Sequence, residues 1–219
     1  MRWTVGCGEA WSETGVRRGP AWPALFLLVL LTLWSAPASA EFPAAELVAA
    51  LSKGGYVLFI RHASRDGRTD ARPVDPRDCR TQSLLSEEGR QEARRLGEAL
   101  RRHAIPIGRV VSSEYCRCTE TAQLAFGRFA SDAGLNSFYN LDLPQDEVER
   151  RVATLRTLVS TRPREGENVA VVGHQWHYLS MTGKGIGTSE VAVFLPSDGT
   201  YRELGRIALR DLEQVPATP

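Results

Sequence analysis

Long apolar runs are nearly absent from this sequence. The one that stands out, Ala24 to Trp34 with Thr32 as its interruption, is shorter than the roughly 20 residues a membrane-spanning helix needs. It leads into Ala36-Pro37-Ala38-Ser39-Ala40, a small-x-small exit ahead of Glu41. Residues 1–40 therefore read as an export signal removed before Glu41, leaving 41–219 as one catalytic-sized domain without a membrane span. Arg17-Arg18 precede Gly19-Pro20 rather than a bulky apolar pair, which favours general secretion over twin-arginine export. The expected location is the periplasm or the medium.

Charge imbalance is lacking too. Setting aside three arginines and two acids in residues 1–40 leaves 24 basic and 24 acidic residues, so the basic field that nucleic-acid binding requires is missing. Cysteine is sparse: with Cys7 in the leader, Cys79, Cys116 and Cys118 remain, too few for a four-ligand structural zinc site. Export permits a disulfide. A bridge from Cys79 to Cys116 or Cys118, with Cys79–Cys116 the pair chosen, would clip a long polar loop to a helix start, whereas Cys116 and Cys118 lie too close in sequence to pair without strain. No internal repeat or low-complexity tract is present.

Short apolar runs rich in branched residues read as buried strands: 56–60, Arg109 to Val111, Phe138 to Leu141, Val169 to Val172 and Val191 to Leu195. Tyr201 to Leu209 alternates and suits an edge. Helical spacing covers Ser86 to His103, with Ser86 as N-cap and Ala93, Leu96 and Leu100 on one face. It also covers Ser113 to Phe126, and Gln145 to Ser160 with Val148, Val152, Leu155 and Val159 on its stripe. Helices alternating with buried strands predict a three-layer α/β/α sandwich around a mostly parallel sheet.

In such a sheet, ligands gather at the carboxyl ends of the strands. Arg61-His62 follows the first strand and Gly173-His174 the fourth, so two of the four histidines have matching local settings. The stretch Ser112-Ser113 to Arg117 opens a helix beyond another strand, where backbone N–H groups and a guanidinium attract anions. Two arginines and two histidines around one point make a phosphate pocket in which an imidazole can be the nucleophile.

These motifs resemble those of the histidine phosphatase superfamily, the phosphoglycerate mutase-like family. Arg61-His62-Ala63 resembles its Arg-His-Gly signature, and Leu85-Ser86-Glu87-Glu88-Gly89 its Leu-Ser/Thr-x-x-Gly helix start. Ser112-Ser113 through Arg117 to Thr121-Ala122 is similar to its Ser-Ser-Pro-x-x-Arg-x-x-x-Thr-Ala element, and Val172-Gly173-His174 to its second histidine motif. The resemblance implies a phosphoglycerate mutase-like fold and a phosphomonoesterase whose His62 becomes phosphohistidine. Arg61, Arg117 and His174 would bind the substrate's phosphoryl oxygens, with no metal or cofactor. Ala63 stands where the family has glycine and Glu114 where it has proline.

The general acid expected from the resemblance is a carboxylate after the strand that follows the Arg117 helix, which Asp142 fits, with Asp146 and Glu114 as substitutes and a turn role as the alternative for Asp142. His103 is read as solvated at a helix end and His177 as a packing or pocket-wall residue. Competing readings are a metal-dependent hydrolase using His62, His174 and His177, and a phosphate-ligand binder without turnover. The expected substrate is a phosphorylated small molecule or glycolipid. Amino-terminal sequencing of exported protein should return Glu41 as the first residue; any other start refutes the assigned cleavage site.

Overall fold

The computed structural model describes residues 41–217. The export-signal expectation for residues 1–40, Cys7 included, lies outside them. Among the described residues no helix is long and apolar enough to cross a membrane.

Six strands form one sheet in the spatial order β3-β2-β4-β1-β5-β6. These are β1 (Val57–Arg61), β2 (Ile107–Ser112), β3 (Ala130–Ser131), β4 (Asn168–Gly173), β5 (Val191–Ser197) and β6 (Thr200–Ile207). The first four run parallel, while β5 pairs antiparallel with both β1 and β6. Six helices accompany them: α1 (Ala44–Leu51), α2 (Glu87–Arg102), α3 (Cys116–Phe126), α4 (Gln145–Ser160), α5 (Gln175–Thr182) and α6 (Leu209–Gln214).

Because successive strand side chains point to opposite faces, the near-continuous apolar runs serve two cores. Leu58 and Ile60 of β1, Ala170 and Val172 of β4, and Val191 and Val193 of β5 join residues of α1, α2, α3 and α6. The alternate residues Val57, Phe59, Val171, Ala192 and Phe194 join Leu155 and Val159 of α4 and Tyr178 of α5. The three-layer sandwich expected from the sequence is present, with helices on both faces of a mostly parallel sheet.

Register in the middle of the sheet is pinned by Asn168, which is fully buried. Its Oδ1 accepts from Tyr56 N–H (3.0 Å), while its Nδ2 donates to the carbonyls of Leu51 (2.8 Å) and Pro106 (3.0 Å). One amide thereby ties the entrances of β1 and β2 to β4.

Helices α2 and α4 lie where the spacing predicts. Ser86 Oγ accepts from Gly89 N–H (3.0 Å) as the N-cap of α2. Three expectations need correction. Phe138 to Leu141 is not a strand: Asn140 has φ 53°, and Phe138 turns its ring onto His177 (4.9 Å). The sheet partner beyond β2 is instead the exposed dipeptide Ala130–Ser131, too short and polar to carry a strand pattern. Helix α3 begins at Cys116 rather than Ser113, because Ser113 Oγ and Asn136 Oδ1 take the N–H groups of Tyr115 and Glu114 before the helix starts. His103 is buried, its Nε2 bonded to Leu212 O (3.0 Å), because α6 covers the end of α2.

Helices α2 and α3 meet without a side chain between them at Gly97, where an added Cβ would lie 2.1 Å from Ala125 O. Gly97→Ala should therefore destabilise the fold by about 1–3 kcal/mol, against the gain of about 1 kcal/mol that alanine brings to an open helix site. Urea unfolding measures the difference, and a stabilised variant contradicts the close approach.

Candidate active site

Register carries the site. Arg61 pairs with Gly173 and Ser112 with Val172, so the residues next along β1, β4 and β2 leave the sheet at one level. His62 N–H then donates to Gly173 O (3.1 Å) and Ser113 N–H to Val172 O (3.0 Å). The rings of His62 and His174 stand 5.4 Å apart, edge to face. Arg117, in the first turn of α3, is also buried. Arg61, His62, Arg117 and His174, separated by over a hundred residues in the sequence, line one cavity of about 230 Å³ with Arg65, Asp70, Ser137, Tyr139, Gln175 and Trp176.

His62 is 4 % exposed, and the carbonyl of Ala63 lies 2.9 Å from its Nδ1. A carbonyl can only accept, so the hydrogen sits on Nδ1 and the Nε2 lone pair is free. Burial, then the charge of Arg117, holds the ring's pKa well below the usual histidine value. The imidazole is neutral and its tautomer is set, the two conditions a nucleophilic histidine needs.

His174 is oriented by a relay. Asn136 Oδ1 accepts from Glu114 N–H and from Ser113 Oγ (both 2.9 Å), and Asn136 Nδ2 donates to Glu114 Oε2 (2.8 Å). With its hydrogen given to Asn136, Ser113 Oγ accepts from His174 Nε2–H at 3.1 Å. This leaves Nδ1 of His174 as the free nitrogen. Burial and Arg117 likewise hold His174 well below the usual value. Glu114 is itself bound by Arg77 (3.0 Å), so the residue standing in place of proline orients His174 through two intermediates.

The guanidinium of Arg61 donates to Ile186 O (2.9 Å). Its pKa is lowered by burial and by the neighbouring Arg65 and Arg117. Arg117 lies over the Tyr115 ring, 4.4 Å from the centroid. Neither Arg61 Nε nor Arg117 Nε finds a protein acceptor among the described residues. Crowded cations with spare donors suit an oxyanion.

The long loop after His62 closes over Arg117. Asp66 N–H donates to Leu84 O (2.9 Å) and Ala71 N–H to Thr81 O (2.7 Å). Cys79 is joined to Cys116, with Cα atoms 5.7 Å apart, and Gln82 Oε1 accepts from Cys116 N–H (2.8 Å). Gly89 lets the start of this loop in: a Cβ there would lie 2.0 Å from Ser64 O. Cys118 is a free, buried thiol whose pKa burial pushes up to about 12.

The expected acids do not reach the cavity. Asp142 is exposed and lines a separate groove with Val74, Leu141 and Leu143, because residues 138–141 turn outward instead of forming a strand. Asp146 pairs with Arg150 on the outside of α4. Asp70, which sequence reasoning passed over, does line the cavity; its signal was its place in a long loop directly after Arg61-His62. Trp176 stacks on Tyr139 at the rim (4.3 Å). His177 is a packing residue outside the cavity lining, fully buried and bonded to Gly134 O (3.3 Å), and no group of three or more His, Cys, Asp or Glu suited to a metal ion occurs among the described residues. A larger groove of about 670 Å³, lined by Arg109, Arg128 and Phe129, lies at the amino ends of the strands, away from both histidines.

Residues 57–136 match the family model of the histidine phosphatase superfamily (branch 1). That span runs from β1 to Asn136 and holds the first three motifs, so the resemblance read from them is shown. No curated protein matches the sequence. Among solved structures, the protein histidine phosphatase SixA complexed with tungstate has 18% identity and a TM-score of 0.53, covering 72% of this chain and 99% of that one. A phosphoserine phosphatase from Entamoeba histolytica in complex with 3-phosphoglyceric acid has 14% identity and a TM-score of 0.51, covering 72% and 98%. A mycobacterial glucosyl-3-phosphoglycerate phosphatase complexed with VO3 has 16% identity and a TM-score of 0.50, covering 68% and 97%. At these identities the likeness shows the fold.

His62, His174 and His177 share a thermodynamic consequence. Each is neutral when folded, with His177 lowered to about 4 by burial, whereas the unfolded chain binds their protons below about pH 6.5. Protonation thus favours the unfolded state, and stability is lost as pH falls from about 6.5. His177 alone should cost about 2 kcal/mol by pH 5. Urea midpoints at pH 7.5 and pH 5 should differ accordingly, and His177→Gln should shrink the difference; equal slopes in the two proteins would exclude His177 as a contributor.

Proposed function

We propose that the chain is an exported phosphomonoesterase that works without a metal, through a phosphohistidine on His62. The observation that carries this is the His62 ring itself: neutral, fixed by Ala63 O, its Nε2 free, beside Arg61, Arg117 and His174. The superfamily match supports a phosphatase. Metal independence is supported by three cationic or protonatable groups placed to offset phosphoryl charge, since such transfers depend on positioning and electrostatics.

Nε2 of His62 attacks phosphorus as the bond to the leaving oxygen breaks, and water then releases phosphate from the nitrogen. Arg61 and Arg117 hold equatorial oxygens. His174 holds a third through Nδ1, taking up a proton as the dianion arrives. Export is supported by the Cys79–Cys116 pairing, since disulfides persist in oxidising compartments.

The substrate is a small or glycolipid phosphate ester of the cell envelope. Room for its leaving group continues from the cavity past Arg65 and Tyr139 to Arg72, and from there to Val74, Leu141 and Leu143. A polar head and an apolar tail both find matching surfaces along that path.

The test is hydrolysis of an aryl phosphate by purified protein. Turnover should persist in excess chelator, be inhibited by vanadate, and drop by at least about a thousandfold in His62→Ala. Loss with chelator alone would refute metal independence, and an active His62→Ala would refute the nucleophile.

A further inference from the structure

One acid faces the cationic cavity. Among the described residues lining it with His62, Asp70 is the single carboxylate. It grips Arg117 with two prongs, Nη1–Oδ1 at 3.1 Å and Nη2–Oδ2 at 3.2 Å. Its position is built rather than incidental: Ser83 N–H donates to Oδ1 at 2.7 Å, inside the loop that Cys79–Cys116 ties to the start of α3. Other nearby acids are engaged elsewhere, Glu114 with Asn136 and Arg77, and Glu92 with Ser64 and Ser189.

A carboxylate forked on a guanidinium sets its two oxygens where two phosphoryl oxygens would bind. We propose that Asp70 yields Arg117 to the arriving phosphoryl group and then serves as the general acid and base of the reaction. The proposal rests on the phosphatase reading and completes it. As the fork opens, the Asp70 carboxylate takes one proton from solvent and holds it beside the bound phosphoryl group.

The steps balance. Nε2 of His62 forms its bond to phosphorus, the electron pair of the P–O bond passes to the leaving oxygen, and the Asp70 carboxyl proton joins that oxygen to release an alcohol. Water then attacks the phosphohistidine, gives one proton to the Asp70 carboxylate, and the P–N electron pair returns to Nε2. Inorganic phosphate results, and as it leaves Asp70 returns one proton to solvent and closes again on Arg117, which restores the starting protein. In the free protein the same carboxylate competes with any anion for Arg117.

The experiment compares native protein and Asp70→Asn on ethyl phosphate and on 4-nitrophenyl phosphate, read as kcat/KM, which covers only the steps through departure of the leaving group. Asparagine keeps an oxygen for Ser83 N–H, and unfolding curves verify that the variant folds; Asp70→Glu is read in the same way if it does not. Ethanol must be protonated as it leaves, whereas nitrophenol departs as its anion. The variant should lose about a hundredfold or more on the alkyl ester and less than about a tenth of that loss on the aryl ester. Inorganic phosphate should also inhibit it at severalfold lower concentration. Equal losses on both esters, or none on either, would overturn the role of Asp70. A native protein inactive on both esters refutes the phosphatase reading itself.

Discussion

In-register parallel pairing of β2, β4 and β1 is the constraint on which the molecule depends. Asn168 ties the entrances of the three strands together, and five residues later their exits stand level, Arg61 opposite Gly173. The side-chain period in a strand is two, so a slip of one residue would send Leu58 and Ile60 to the wrong core and turn Phe59 outward from Tyr178. Two hydrophobic cores therefore enforce one alignment. The same alignment brings His62 and His174 to a common level, with Ser113 one residue behind them. Fold stability and site geometry are consequences of a single register.

What that register assembles is expensive in isolation. Arg117 is 3 % exposed and two imidazoles are nearly as deep, and a buried charge costs several kcal/mol unless it is paired. The protein answers in two ways. It keeps both histidines neutral, and it gives Arg117 a carboxylate, a carbonyl at Ser83 and an aromatic face at Tyr115. The remaining positive potential is unsatisfied. An oxyanion is the ligand that relieves it, and the neutrality forced on His62 by burial is also what makes it a nucleophile.

Much of this was legible in the residues. Strands buried on both faces show as unbroken apolar runs, so β1, β4 and β5 could be read directly, and α2 and α4 show their stripes and caps. The paired histidines announced themselves by following two such runs. Other features left no local trace. Residues 138–141 look like a strand because aromatic and branched side chains serve a pocket rim as readily as a sheet. The β3 dipeptide has no pattern at all. Helix α6 is short, so nothing in the sequence warned that His103 would be covered. Asp70 was hidden among the acids of a polar loop, because its role depends on a guanidinium 47 positions away, and no periodicity reports a contact across that distance.

The buried thiol of Cys118 bears on how the chain reaches this state. The three cysteines among the described residues allow three pairings, and Cys118 is only two positions from the correct partner of Cys79. In the native structure it is sealed between α3 and the end of β4, with Gly173 O and His174 as neighbours. It is protonated there at physiological pH, and only a thiolate attacks a disulfide. Closing the core thus withdraws the one competitor among the described residues from thiol exchange. The helix that presents Arg117 to the cavity also edits the covalent connectivity of the loop above it.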